Sequence, residues 1–248
     1  MNRIVAAFLG SSSTAGKGQA YDWISELRQR VQNSRFCFRN FGVGGDLAFN
    51  ALQRLPQVLA CRPAIIVVWV GGNDVLASVS AKVGKFFRFW KRLPVEPSPE
   101  WFGENIRRIA SRLKQETSAR VALCSLSPIG EDLSSENPFQ VELNRRIEEY
   151  SSIIRDVALN ERVGYVPVYE EIAAKIRGLP GPAFASFRFL PFYRDAFRVS
   201  ILHKSPDEVS QMNGWNFHTD GVHLNSRGGI IVADLIQAFL DEGMPRNE

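Results

Sequence analysis

The sequence predicts an α/β fold with helices on both faces of a parallel sheet, and three observations predict it. Short apolar runs without charge recur along the chain, at residues 4–9, 64–70 and, after Arg120, 121–126. Between them the apolar residues fall at helical spacing, as in Trp23, Ile24 and Leu27, or in Leu143, Ile147, Tyr150 and Ile154. Glycine, serine and asparagine gather where the first runs end. An apolar run with no polar alternation suits a strand covered on both faces, and strands joined by amphipathic helices give a parallel sheet through right-handed crossovers. Strand and helix alternate five times, so the expected architecture is a three-layer α/β/α sandwich around a five-stranded parallel sheet.

The first strand runs from Ile4 to Leu9 and breaks into Gly10, three serines, Thr14, Gly16 and Gly18. From Ala20 the spacing of Trp23, Ile24, Leu27 and Val31 predicts a helix with those side chains inward. Phe36, Phe38 and Phe41 bracket a second strand that ends in Asn40-Phe41-Gly42-Val43-Gly44-Gly45-Asp46. Glycines so dense suit a turn with positive φ, or a place where something approaches the backbone closely. Leu47, Ala51, Leu52 and Leu55 predict a helix that Pro56 ends or kinks. Ala64 to Val70, apolar throughout and rich in β-branched residues, reads as the central strand, followed by Gly71-Gly72-Asn73-Asp74. Ile106, Ile109 and Leu113 mark a helix over 101–117, and Arg120 to Leu126 a fourth strand closed by Pro128 and Gly130. A long helix through Leu143 and Val157, a fifth strand at Gly164 to Val168 and a helix at Glu170 to Ile176 follow. The last helix, Ile230 to Leu240, is expected to turn Ile231, Leu235, Ala238 and Phe239 inward.

With 248 residues, 45% of them hydrophobic and 23% charged, the chain can bury one sizeable core. A single domain over 1–248 is expected, with aromatic and basic insertions at about 78–100 and 178–215. The net charge of +4 is modest and the bases are interleaved with acids or aromatics. A dedicated nucleic-acid binder is usually more lopsided, so no nucleic-acid partner is expected. Cys37, Cys61 and Cys124 lie in or beside apolar runs without metal-type spacing, which predicts buried free thiols in a reducing compartment. No run approaches the ~18 apolar residues of a membrane span. The run at 4–9 is also shorter than the core of a signal peptide, so a cytoplasmic location is expected.

Two stretches break the alternation. Residues 85–92, KFFRFWKR, hold four bases and four aromatics without an acid, and residues 183–204 add five phenylalanines and a tyrosine with one acid. Two readings stay open: a satellite core in which the two stretches pack on each other with cations snorkelling outward, or an apolar cap or surface meeting lipid or acidic partners.

A serine-rich turn between a strand and a helix stands where open α/β sheets bind ligands, so a hydroxyl there is a candidate nucleophile. The turn is not a phosphate-binding loop. Five residues separate Gly10 from Gly16, and Lys17 is followed by Gly18 where that motif needs Ser or Thr. The plain alternative is a tight turn that caps the next helix. Near the carboxyl end stands His218-Thr219-Asp220-Gly221-Val222-His223. An Asp three residues before a His can hold the ring Nδ1–H and leave Nε2 as a base. A metal site from His218, Asp220 and His223, or a surface turn, are the competing readings.

Four segments, taken together and in order, resemble the SGNH, or GDSL-type, hydrolase family across nearly the whole chain. Gly10-Ser11-Ser12-Ser13-Thr14-Ala15-Gly16 matches the family's first block, Asn40 to Asp46 the second, Gly71 to Asp74 the third, and Asp220 with His223 the last. The resemblance implies a flavodoxin-like sheet order and a serine esterase that works through an acyl-serine. Ser12, Asp220 and His223 would be catalytic, and Ser12, Gly45 and Asn73 would form the oxyanion hole. It implies neither cofactor nor metal. Ser11 departs from the family, which usually has Asp there, and Ser11 and Ser13 are the neighbouring alternatives to Ser12. The aromatic stretches favour an apolar acyl substrate, as for a lipase, esterase or thioesterase, with peripheral lipid contact. The family also holds carbohydrate deacetylases. A non-catalytic binding protein using the aromatic and basic insertions is the reading from another class. The expected partner is a small-molecule ester, and the sequence fixes no oligomeric state.

Overall fold

The computed structural model describes residues 3–184 and 189–242. Strands β1 (Ile4–Gly10), β2 (Phe36–Gly42), β3 (Ile65–Trp69), β4 (Arg120–Cys124) and β5 (Gly164–Val166) form one parallel sheet in the order β2-β1-β3-β4-β5. This is the flavodoxin-like order, and its direction reverses between β1 and β3. Gly10 at the end of β1 is paired with Gly42 and Trp69, so three strands finish side by side at the reversal.

The first half of the chain adds α1 (Ser12–Ala15), α2 (Trp23–Gln29), α3 (Ala48–Gln53), α4 (Leu55–Ala60), α5 (Gly72–Val79), α6 (Ala81–Trp90) and α7 (Pro99–Glu116). The second half adds α8 (Pro138–Glu161), α9 (Val168–Gly178), α10 (Phe189–Ser200), α11 (Pro206–Asn213) and α12 (Ser226–Asp241).

Successive side chains of β1 and β3 enter opposite cores, as the pleat dictates. Ala7, Leu9, Ile66 and Val68 pack with Leu47, Leu52, Val75, Phe102, Ile109 and Leu143 from α3, α5, α7, α8 and the turn before α3. Ala6, Phe8, Val67 and Trp69 pack with Trp23, Leu27, Ile172, Val232 and Ile236 from α2, α9 and α12. The uncharged strands are thus covered on both faces.

Several local expectations are corrected. Val31 lies past the end of α2 in a 3-10 turn and is 88% exposed, because the helix stops at Gln29. Pro56 opens a second helix instead of ending the first: the break falls at Arg54, and the first turn of α4 tolerates a residue without N–H. In α12 the inward face is Val232, Ala233, Ile236, Phe239 and Leu240, while Ala238 is exposed. Cys124 is buried, but Cys37 and Cys61 are half-buried. The first aromatic stretch belongs to α6 and the turn after it. Within it Phe87 joins the core of Leu47 and Val75, as Val83 and Leu93 on either side of the stretch do. In the second stretch, residues 185–188 lie outside the described residues.

Candidate active site

Three of the four segments follow the carboxyl ends of β1, β2 and β3, and the fourth lies in the loop between α11 and α12. Ser12 opens α1 directly after β1, Gly45 follows β2, Asn73 lies in the first turn of α5 after β3, and Asp220 and His223 sit in the loop before α12. The Ser12 Oγ hydroxyl lies 2.9 Å from His223 Nε2. On the other side of the ring, Nδ1–H donates to Asp220 Oδ2 at 2.8 Å. Asp220 Oδ1 accepts from the Val222 and His223 backbone N–H groups, which fixes the carboxylate inside its own turn.

Electrostatics couple the pair. Burial works to raise the Asp220 pKa, but the charge and ring bond of His223 and the two backbone donors leave it below its ordinary value. Burial likewise works to lower the His223 pKa, and the Asp220 carboxylate outweighs it and holds it above the ordinary value. A hydroxyl at bonding distance from such a ring is the arrangement that activates serine.

The turn carrying Ser12 is held from three sides. Ser11 is buried and its side chain makes no capping bond to α1. In place of a cap, Asn40 Nδ2 donates to Thr14 O and Ala15 O, Trp23 Nε1 to Ser13 O, and Thr14 Oγ1 to Trp69 O. Gly10 and Gly42 permit this closeness, since a Cβ at Gly42 would stand 2.2 Å from Ala15 N.

The Gly44-Gly45-Asp46 turn is braced by two cations. Arg54 Nε bonds Asp46 Oδ2 at 2.8 Å, and the other Arg54 nitrogens reach Phe41 O and Gly10 O. Lys91 Nζ bonds Asp46 Oδ1 and Gly44 O, and lies over the Trp90 ring. Gly45 has φ +76°, and the Trp90 ring packs directly against it. Asn73 Nδ2 donates to Asp46 O at 2.9 Å, which engages one of its two amide hydrogens. A cavity of about 30 Å³ beside Ser12 is lined by Trp69, Val70, Asn73, Leu126, Ile129 and Val222, among others.

A model of the GDSL-like Lipase/Acylhydrolase family matches residues 8–229. The chain belongs to that family. With it the chain is classed among carboxylic ester hydrolases. Solved structures of the same fold include the acetyl xylan esterase AlAXEase, with TM-score 0.66 and 20% identity over 96% of this chain and 100% of that one. An acetylxylan esterase of Geobacillus stearothermophilus gives TM-score 0.66 and 13% identity over 97% of each chain. The lipase/acylhydrolase of Enterococcus faecalis gives 0.59 and 17% over 96% of this chain and 95% of that one. No curated protein matches.

The metal reading of His218 fails on geometry. Its Nδ1 is 2.8 Å from Glu131 Oε1 and its Nε2 is 2.9 Å from Pro128 O, so both ring nitrogens are engaged away from Asp220 and His223. Among the described residues no helix is long and apolar enough to cross a membrane.

Sequence reasoning missed Glu131, Arg54 and Lys91. Glu131 joins three loops: its side chain receives the N–H groups of Asn216, Phe217 and His218, while its backbone pairs with Gly181 and Pro182. Single charged residues in turns carry no spacing signal, and a long-range partner is visible only once the chain is folded.

Proposed function

We propose that this GDSL-like acylhydrolase cleaves a carboxylic ester with an apolar acyl group through an acyl-serine on Ser12. The observation that carries the reading is the line Ser12 Oγ, His223, Asp220, with steps of 2.9 and 2.8 Å. Ser12 Oγ attacks the ester carbonyl carbon while its proton passes to His223 Nε2, and Asp220 steadies the imidazolium that forms. The ester C–O bond then breaks and the Nε2 proton goes to the departing alcohol oxygen. Water attacks the acyl-serine, gives a proton to Nε2, and the acid leaves as Oγ recovers its proton.

The negative oxygen of each tetrahedral intermediate meets the Ser12 and Gly45 backbone N–H groups and the Asn73 side chain. Support for these roles comes from the start of α1, where the first amides have no intrahelical partner, and from the second hydrogen of the Asn73 amide.

Val70, Leu126, Ile129 and Val222 give the cavity an apolar wall, which favours an apolar acyl group. Its small volume, about room for two waters, restricts the part that enters to a short acyl group. That smallness also favours a second reading, removal of acetyl groups from a carbohydrate. The partner in either case is a small-molecule ester, with peripheral lipid contact through residues 85–92 in the first.

Intact mass after a fluorophosphonate probe, with peptide mapping, tests the nucleophile. One adduct on Ser12 that is lost in Ser12→Ala and His223→Ala is expected, and a folded protein that takes no adduct overturns the reading. Turnover of p-nitrophenyl esters from acetyl to long acyl, set beside acetylated xylo-oligosaccharides, separates the substrates.

A further inference from the structure

Helix α6 presents a basic and aromatic outer face. Val83, Gly84 and Phe87 are buried against the core, and the opposite side exposes Lys82, Lys85, Phe86, Arg88 and Phe89. Phe89 is 90% exposed, and Trp90 half so. Between Asp74 and Glu96 the chain holds five cations and no acid. Lys91 is engaged by Asp46 and Arg88 by Glu96, whereas no acidic partner meets Lys82, Lys85 or Arg92 among the described residues. An open groove runs between Lys85, Arg88, Phe89, Trp90, Arg92 and Leu93.

An aromatic side chain held fully in water between unpaired cations gains by entering an interface that is apolar below and negative above. A bilayer needs no shape complementarity to receive it, which suits one protruding ring flanked by flexible bases. The face also ends at the catalytic centre, because the Trp90 ring contacts Gly45 and Lys91 holds Gly44 O.

We propose that α6 docks this protein on anionic phospholipid bilayers, inserting Phe89 among the acyl chains with Lys85 and Arg92 against the headgroups, so that the Ser12 site opens at the lipid surface. The proposal rests on the esterase reading only for what the docking serves; the docking itself is independent of catalysis.

The test is co-sedimentation of the purified protein with phosphatidylcholine vesicles, with and without phosphatidylglycerol, at low and high salt. Wild type is expected to bind the anionic vesicles, to bind pure phosphatidylcholine weakly, and to be released by salt. Phe89→Ser and Lys85→Glu are each expected to weaken binding about tenfold. Val31→Ser, at another exposed apolar position, and Ser12→Ala are expected to bind as wild type. Phe89→Ser should hydrolyse p-nitrophenyl acetate in solution at the wild-type rate, which also certifies its fold if the esterase reading stands; thermal melting certifies it in any case. Absence of binding to anionic vesicles, or equal binding by Phe89→Ser and Lys85→Glu, overturns the proposal. So does a dimer in gel filtration that Phe89→Ser dissolves while vesicles go unbound, since the face is then a contact between copies. Vesicle binding without ester hydrolysis leaves the docking standing and removes the esterase reading, and hydrolysis without vesicle binding does the reverse.

Discussion

His218 Nδ1 and Glu131 Oε1 lie 2.8 Å apart with both side chains fully buried, seven residues before the start of α8 on one side and two before Asp220 on the other. His218 Nε2 also lies 2.9 Å from Pro128 O, so both ring nitrogens are held by oxygen atoms. This pair, with the bond from Gly130 N to Gly221 O, anchors the loop that carries Asp220 and His223. Removing one partner of such a pair leaves a buried charge and costs roughly 3 to 5 kcal/mol. Glu131→Gln is therefore expected to lower the urea midpoint strongly, and to lower kcat for a soluble ester under conditions where it is still folded. Burial works to raise the Glu131 pKa, but the bond and charge of His218 and the backbone donors hold it below the ordinary value. Its stabilisation is thus complete above the unfolded carboxyl pKa and is lost as pH falls through the folded one. Urea unfolding of wild type and Glu131→Gln across the acid range checks this, and parallel curves would sink the assignment.

His223 acts as a base only when neutral, and Asp220 holds its pKa above the ordinary value. The acidic limb of kcat/KM is accordingly expected above pH ~6.5, with activity lost as pH falls through it. Asp220→Asn removes the raising charge, so the limb should move to lower pH while kcat drops by about 10⁴-fold. For stability the sign is opposite: the His223–Asp220 interaction contributes fully below the unfolded histidine pKa and is lost as pH rises through the folded one. A pH–rate profile of both proteins is the measurement.

The strands and most helices were legible because burial on two faces, or on one stripe, writes a period into the sequence. Ile65 to Trp69 could hardly be anything but a central strand. The helix ends were less so, since Arg54 and Pro56 divide one apolar stripe into α3 and α4. Ser12, Gly45, Asn73, Asp220 and His223 stood out as short blocks at strand or loop ends. What escaped was the bracing around them. Arg54, Lys91 and Glu131 act across 8, 45 and 87 residues of chain, and no local pattern marks such partners.

Gly45 carries a backbone φ of +76° and a ring edge in the space where a Cβ would stand, 2.3 Å from Trp90 carbons. Gly45→Ala is expected to displace the backbone N–H there. If that N–H serves the oxyanion, kcat falls about 10² to 10³-fold with KM little changed. Trp90→Ala in the same chain removes the clash but not the positive φ, so the double variant should recover part of the loss. Asn73→Ala should cost a similar factor by removing the amide itself. Steady-state kinetics on p-nitrophenyl acetate decides, and a Gly45→Ala enzyme with wild-type kcat excludes this glycine from the oxyanion site.

Asp74, next to Asn73, is 1% exposed and accepts from Ala48 N with both oxygens at 3.1 and 3.3 Å. Burial outweighs these bonds and pushes its pKa up to about 8. The unfolded chain releases this proton near pH ~4, whereas the folded protein keeps it until about pH 8. Within that window unfolding frees a proton, so stability attributable to Asp74 declines as pH rises, by several kcal/mol in all. Above the folded value both states are ionised and the decline stops. Asp74→Asn keeps the shape and removes the titration. Its stability relative to wild type should therefore climb steadily through the same window and then level off. Urea unfolding of the two proteins at acid, neutral and alkaline pH reads the difference directly, and a difference that does not change with pH would mean that Asp74 is ionised in the folded protein at neutral pH.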